Sequence, residues 1–455
     1  MMDFIERPIY KDAVSAILKN HYRRSETQKI LKTVYAVKGF PGSGKTTLLL
    51  NYFADRDFFY FSFAGLAEDL AENIFVDYVK EKTGVTVSCW AEGFAVISEK
   101  YKVILFDDLS PVSSYKRFQK AFYDNMITDD HARPFVIFII QPTDDIGGLT
   151  DKYRAISVNY FSVPEIIRLY PKLSKFDSLG LCAVSGGIPK ILNEYDAQAN
   201  LENNLRSMLN PSSSFYTFMP DMMQKYFRKP ENYHHILCAI ANGSHSVSEI
   251  GKFCGFEYNK CDNYLASLIS YGFVKTEKII SKRGNAKTAY TVTNNYFRLW
   301  HLYIYRNRTE LQLGNQKLTD GIIKNILAEE IHKFHLQKAF ALANERIKHD
   351  LWASFRITEK VVYAPQAVRK NNFSYVFDAI IRNKEKAVFI KVFDSPYENC
   401  GRNELDKIIE AVSLANKYYD SHVYIFAKRR FSDYAVAEAA KDETLTLVDV
   451  ERLKY

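Results

Sequence analysis

Gly39-Phe40-Pro41-Gly42-Ser43-Gly44-Lys45-Thr46, the stretch GFPGSGKT at residues 39–46, decides how the first third of this chain folds. Before it, Val34 to Val37 form a short apolar run of strand character; after it, TTLLLNYF begins like an apolar helix. That strand, loop and helix context is what a phosphate-binding loop requires. Gly39, Gly42 and Gly44 remove side chains so that backbone N–H groups wrap phosphates, and the following helix turns its positive dipole end toward them. Lys45 is placed to meet the β- and γ-phosphates, and Thr46 to offer a hydroxyl to magnesium. Pro41, Ser43 and Thr47 complete the cradle. The expected ligand is a nucleoside triphosphate, ATP, with Mg2+.

A second element lies 62 positions beyond Lys45 (107 minus 45): KVILFDD, residues 102–108, an apolar strand ending in two carboxylates. Asp107 at the strand's carboxyl end is expected to hold magnesium, and Asp108 to polarise the attacking water where many ATPases use the longer glutamate. The shorter side chain predicts slow turnover; a turn cap is the alternative for Asp108. A third strand, Phe135 to Ile140, precedes Gln141 and Thr143, either of which could touch the γ-phosphate. Arg154 is a candidate for charge stabilisation at the phosphates, in cis or from a neighbouring subunit. Helical segments at Leu66–Lys82 and Tyr115–Tyr123 separate these strands, which predicts an α/β core built on a parallel sheet, with the ligand at the strands' carboxyl ends.

The 455 residues exceed one ordinary core. At 47% hydrophobic and 25% charged the composition is that of a folded globular protein. No window reaches the ~18 apolar residues of a membrane span. The N-terminus, MMDFIERPIYKD, has no apolar signal core, so the expectation is a cytoplasmic protein without membrane association. Six scattered cysteines make neither CxxC pairs nor a disulfide framework. The net charge of +8 permits nucleic-acid binding without demanding it.

From Pro164 the pattern turns helical, and Gly186-Gly187 followed by Pro189 reads as a helix stop and a new start. Residues 231–292 then give three helices and a basic hairpin, a winged-helix pattern. Ser246 to Glu249 fits an S-x-x-E capping box. Tyr258, Asn259, Lys260 and Asn263 on the third helix are candidates for base edges; Lys282, Arg283 and Lys287 on the hairpin are candidates for phosphates. A winged helix used for protein contacts is the alternative. Further on, VFDAII and VFIKVFD are adjacent strands carrying Asp378 and Lys391, the skeleton of a metal-dependent nuclease. The acidic residue expected two positions before that lysine is Phe389, which predicts a degenerate nuclease site. Glu329, Glu330 and Asp394 are the other carboxylates considered there.

Taken together, FIERPIY, GFPGSGKT, KVILFDD, Arg154, GGIPKIL, the YFRLWHLYIY stretch, VFDAII and VFIKVFD resemble the archaeal-type P-loop ATPases, relatives of the AAA and STAND classes of NTPase. In that family a winged helix and a C-terminal restriction-endonuclease-like domain follow the ATPase. The resemblance implies an ATP-driven switch, with Arg7 and Ile9 bordering the adenine. It implies units at 1–160 (ATPase core), 161–228 (helical lid), 229–308 (winged helix) and 309–455 (degenerate nuclease-like domain). The implied partners are ATP, double-stranded DNA, and a second copy or protein effector.

Overall fold

The computed structural model describes residues 7–25, 34–63, 65–126, 134–142, 144, 146, 149, 153–280, 286–331, 333, 334, 338, 366–370, 373–382, 386–393, 400–415, 420–427 and 431–449. The first unit contains α1 (Pro8–Ser25), β1 (Val34–Lys38), α2 (Lys45–Tyr52), β2 (Phe59–Ser62), α3 (Glu68–Thr83), α4 (Trp90–Lys100), β3 (Val103–Asp107), α5 (Lys116–Met126), β4 (Phe135–Ile140) and β5 (Tyr153–Ser157). Its five strands lie in the order β2-β3-β4-β1-β5, and every pairing is parallel. This is the parallel sheet that the sequence predicts.

The alternation within β1 shows why the sheet is covered on both faces. Val34 and Ala36 join the core formed with Phe75, Phe94, Phe118 and Phe122 of α3, α4 and α5. Tyr35 and Val37 face Val14 and Leu18 of α1 and Leu48 and Leu49 of α2. Burial on both faces turns the strands into nearly continuous apolar runs, of which β4, FVIFII, is the plainest. Helix α4 and strands β2 and β5 were not expected. Strand β5 has a mostly exposed pattern, so no apolar periodicity marks it.

A helical region follows: α6 (Val163–Leu169), α7 (Lys175–Ser185), α8 (Pro189–Leu192), α9 (Leu201–Met208), α10 (Ser214–Tyr226), α11 (Glu231–Ala241), α12 (Val247–Cys254) and α13 (Tyr258–Ser270). Gly186 caps α7 in the left-handed region (φ 61°), and Pro189 opens α8. Ser246 and Glu249 form the expected capping box on α12. Strands β6 (Val274–Ile280) and β7 (Ala286–Val292) form an antiparallel hairpin, then come α14 (Asn295–Leu299), a π-helical turn at Trp300–Ile304, α15 (Arg308–Gln312) and α16 (Gln316–Asn325). One hydrophobic core runs through all of this, from Phe161 to Phe334. Within it His234 of α11 and His301 of the π-turn meet at 2.9 Å, beside the rings of Trp300 and Tyr305. A π-helical turn at Ile326–Glu330 continues from α16.

The last unit is a hairpin of β8 (Gln366–Lys370) and β9 (Phe373–Phe377) beside a sheet ordered β10-β11-β12-β13. Here β10 (Ala379–Arg382) is antiparallel to β11 (Lys386–Phe393), while β12 (Asp420–Ala427) and β13 (Leu445–Asp449) run parallel to it. Helices α17 (Arg402–Ala415) and α18 (Asp433–Lys441) contribute Leu405, Ile408 and Ala435 to its core. No described helix is long and apolar enough to cross a membrane.

Candidate functional site

The loop between β1 and α2 has the backbone its glycines predict: Gly42 and Gly44 sit at φ 73° and 86°, where L side chains are strained. Lys45, partly buried, turns its ammonium back onto the carbonyls of Gly39 (2.7 Å) and Phe40 (3.0 Å). Burial pulls its pKa down to about 8, against the attraction of Asp107, and the Lys225 ammonium lowers it further. The Thr46 hydroxyl donates to Asp107 Oδ2 at 2.6 Å, and the Tyr60 hydroxyl donates to the same oxygen at 3.1 Å. Asp107 is 6% exposed, and burial raises its carboxyl pKa above the ordinary value.

Asp108 stands just past β3 in the left-handed region, φ 53°, the single non-glycine residue there among those described. Such strain persists where surroundings over-determine it. Three contacts do so: its own N–H donates to Asp107 Oδ1 (2.7 Å), Ser62 Oγ donates to Oδ2 (3.1 Å), and Lys225 Nζ donates to Oδ1 (2.7 Å). Lys225, in the last turn of α10, was missed from the sequence. It lies 117 residues from its partner, inside an unremarkable helix, and no local signal marks it.

Arg7 is 6% exposed and ties three segments together. Nε donates to Glu165 of the α6 capping box at 2.9 Å, and Nη1 donates to the carbonyls of Asn159 (2.8 Å) and Ser43 (3.4 Å). Its guanidinium lies 4.4 Å from both the Tyr10 and Phe161 ring centres. Three buried polar atoms near the loop have no hydrogen-bond partner: Arg7 Nη2, Ser43 Oγ and the Tyr226 hydroxyl. Buried unpaired groups of this kind carry a desolvation penalty that a bound polar ligand would relieve. The residues present therefore fit a triphosphate in the cradle of residues 39–47, with magnesium at Thr46 and Asp107. Mg2+ keeps waters and phosphate oxygens as ligands and needs few protein groups, so the absence of any cluster of three or more His, Cys, Asp or Glu ligands among the described residues does not conflict with it.

Other expected residues fall differently. Pro41 accepts the Tyr160 hydroxyl through its carbonyl (3.0 Å), and Thr47 is exposed. Ile9 is 66% exposed on α1, whereas Arg7 is the anchored member of that pair. Arg154 is paired in register with Tyr35, three residues before the phosphate-side end of β1, and its side chain is exposed. That sets its backbone about 10 Å back from the loop at ~3.3 Å per strand residue. Gln141 is buried at the end of β4 and its N–H donates to Asp144 Oδ2; Thr143 lies outside the described residues.

Tyr258, Asn259, Lys260 and Asn263 are all exposed on the first half of α13, with the Lys260 ammonium 4.5 Å over the Phe256 ring. Lys282, Arg283 and the side chain of Lys287 lie outside the described residues. In the last unit Asp378 and Lys391 do come together, Nζ to Oδ2 at 3.8 Å. However, Asp378 accepts the Val392 N–H (2.8 Å), and Lys391 donates to the Val376 carbonyl (3.1 Å). Phe389 is fully buried against Phe377. Glu330 is committed to Arg298 and Lys333, and Asp394 lies outside the described residues.

No protein-family model matches the chain. Among curated proteins, the uncharacterized protein MJECL04 of Methanocaldococcus jannaschii is 28% identical over 169 residues, which is 36% of this chain and 37% of that protein. The match thus spans little more than a third of that relative's length. Among solved structures, the Walker-type ATPase PABY2304 of Pyrococcus abyssi aligns with a TM-score of 0.44 at 13% identity, over 66% of this chain and 96% of that one. The Aeropyrum pernix ORC1 protein in complex with DNA gives 0.32 at 11% identity, over 66% and 94%. The Thermotoga maritima RuvB Holliday junction branch migration motor gives 0.31 at 14% identity, over 64% and 93%. Overall likeness at these scores is too loose to assign the chain to any of them.

Proposed function

We propose that the chain is an ATP-binding, slowly hydrolysing switch whose nucleotide state sets the position of a winged-helix module that binds double-stranded DNA. The observation that carries this reading is the set of self-pairings at the loop. Lys45 is held by its own carbonyls, Thr46 by Asp107, and Asp108 by Lys225, so each group that would serve a triphosphate has a protein substitute for it. Binding then becomes an exchange of partners. Lys45 would turn to the phosphate oxygens, Thr46 and Asp107 would hold magnesium, and Lys225 would be released from Asp108. Because Lys225 lies in the last turn of α10, three residues before Arg228 and the chain into α11, that exchange has a direct path to the helices beyond.

The same pairing bears on rate. Asp108, one methylene shorter than glutamate and engaged by an ammonium, is a weak water-polarising base until released, which favours switching over fast turnover. Magnesium, when bound with the nucleotide, supplies charge neutralisation at the phosphates. The exposed face of α13 supports duplex binding, with Lys260 for backbone phosphate and Asn259 and Asn263 for base edges. Tyr258, 63% exposed, favours the alternative of a protein effector docking on this face. The C-terminal unit is read as a nuclease-like fold that has lost its metal, since Phe389 fills the acidic position. We place the protein in the cytoplasm, with Arg154 available to a neighbouring copy rather than to its own phosphates.

Equilibrium binding of ATP with magnesium to the native chain and to Lys45→Ala tests the core of this reading. Loss of at least about tenfold in affinity is expected for removal of a charged phosphate contact. Unchanged affinity in the variant would overturn the assignment of the site. Duplex binding measured against salt, with and without ATP, tests the DNA partner, and salt-insensitive or absent binding at low salt removes it.

A further inference from the structure

Phe40 is the sole aromatic residue of the loop at 39–46, and it faces two ways. Its carbonyl accepts the Lys45 ammonium at 3.0 Å and the Ser43 N–H at 3.1 Å, so its peptide is fixed by the group that meets the phosphates. Its ring stacks on Tyr160 (centroids 6.0 Å apart, 23° between planes) and reaches the turn between α13 and β6. There it lies against Gly272, at φ 74°, where a β-carbon would collide with the ring. That turn is thus shaped around Phe40: glycine supplies both the left-handed backbone and the space. Aromatic contacts continue from Tyr160 to Phe297 (6.3 Å), from Phe297 to Phe273 (5.5 Å), and from Phe273 to Tyr226, the neighbour of Lys225 (5.4 Å).

We propose that Phe40 is the positioning residue that transmits phosphate occupancy from the loop to the root of the hairpin after α13; the proposal rests on the nucleotide reading above. An ammonium has three donors, two of them spent on the Gly39 and Phe40 carbonyls, so contacts to both the β- and the γ-phosphate displace at least one carbonyl, and the longer bond, to Phe40 (3.0 Å against 2.7 Å), is the weaker. Once the Phe40 carbonyl loses that partner, the Ser43 N–H at 3.1 Å is the bond left holding its peptide, which loosens. The ring cannot follow without leaving its seat on Gly272, because close-packed contacts respond by stepping between arrangements rather than by stretching. Two backbone bonds tie the Gly272 turn back to α13, Gly272 N–H to Ile269 O (2.9 Å) and Phe273 N–H to Leu268 O (2.8 Å), while Thr293 donates to the Gly272 and Phe273 carbonyls from the hairpin side. With the ring withdrawn, the two bonds to α13 are the ones that open, and β6 loses its fixed start relative to α13.

Amide hydrogen exchange on the full chain reads this out without any DNA ligand. With magnesium and the non-hydrolysable ATP analogue AMP-PNP at saturation, exchange at Gly272 and Phe273 is expected to rise at least about 5-fold, the lower end of couplings between distinct sites. In Phe40→Ala, brought to saturation with the analogue at whatever concentration equilibrium dialysis shows is needed, the turn exchanges fast throughout and the nucleotide-dependent change disappears. Phe40→Leu, which keeps apolar contact with Gly272, restores part of the change and guards against misfolding of the alanine variant. A native chain that binds AMP-PNP with no change at Gly272 and Phe273 overturns the proposal, as does either variant that binds it with the full native change. A native chain that fails to bind AMP-PNP removes the nucleotide reading and this proposal with it.

Discussion

Acidification from pH 7 to pH 5 is expected to destabilise the helical region through the His234–His301 pair, and the structure fixes the size of the effect. The rings are 6% and 0% exposed. His301 Nδ1 is 2.7 Å from the Phe297 carbonyl, which can only accept, so this nitrogen carries the proton. His301 Nε2 is then the acceptor for His234 Nδ1–H at 2.9 Å. The neutral pair is fully matched, whereas a proton on His301 Nε2 would set two donors against each other. Burial accordingly pushes the His301 pKa down to about 4, and burial with the neighbouring His301 pushes His234 lower still. In the unfolded chain both rings titrate near pH 6.5. The unfolded state therefore binds protons that the folded state refuses, and stability falls as pH drops from 6.5 toward 4. Between pH 7 and 5 each histidine contributes about 2 kcal/mol of loss, or about 4 kcal/mol for the pair, from the linkage relation. That is a large share of a typical total of about 5–15 kcal/mol. Urea unfolding followed by tryptophan fluorescence at the two pH values, on the native chain and on His234→Phe with His301→Gln, isolates it, because the other eight of the ten histidines are common to both. The double variant should lose about 4 kcal/mol less over this interval. Equal losses in the two chains would refute the reasoning.

Asp108→Ala should leave ATP affinity within about threefold while lowering hydrolysis by two orders of magnitude or more, about what a positioned base contributes; equal turnover in a phosphate-release assay would remove its role. Lys260→Ala should reduce the slope of log affinity for duplex DNA against log salt by about one unit, as loss of a single phosphate contact does, and an unchanged slope would take Lys260 out of the interface. Gly187→Ala should cost about 2 kcal/mol or more in thermal or urea stability, because it combines φ 74° with a collision against the Phe161 carbonyl; a neutral effect would contradict the geometry of that turn.

The local chemistry of this protein was legible in its sequence wherever one short segment contains both the signal and its partner. The glycines of residues 39–46, the apolar run into Asp107, the Ser246–Glu249 box and the Gly186–Pro189 break each depend on contacts within a few residues, and each has the expected form. The same holds for Asp378 and Lys391, brought together by the pairing of neighbouring strands. Strand β5 escaped because its exposed edge position leaves no apolar alternation to read, and with it went the pairing of Arg154 beside Tyr35. What the tertiary structure alone decided are the contacts across long stretches of chain: Arg7 to Glu165, Lys225 to Asp108, Phe40 to Gly272 and His234 to His301. Propensity and periodicity carry no record of such pairs, because each residue is ordinary in its own helix or loop. The energy that pairs them arises only when packing removes water from between them. The sequence determined that a phosphate-binding loop exists; folding decided which distant groups hold it closed.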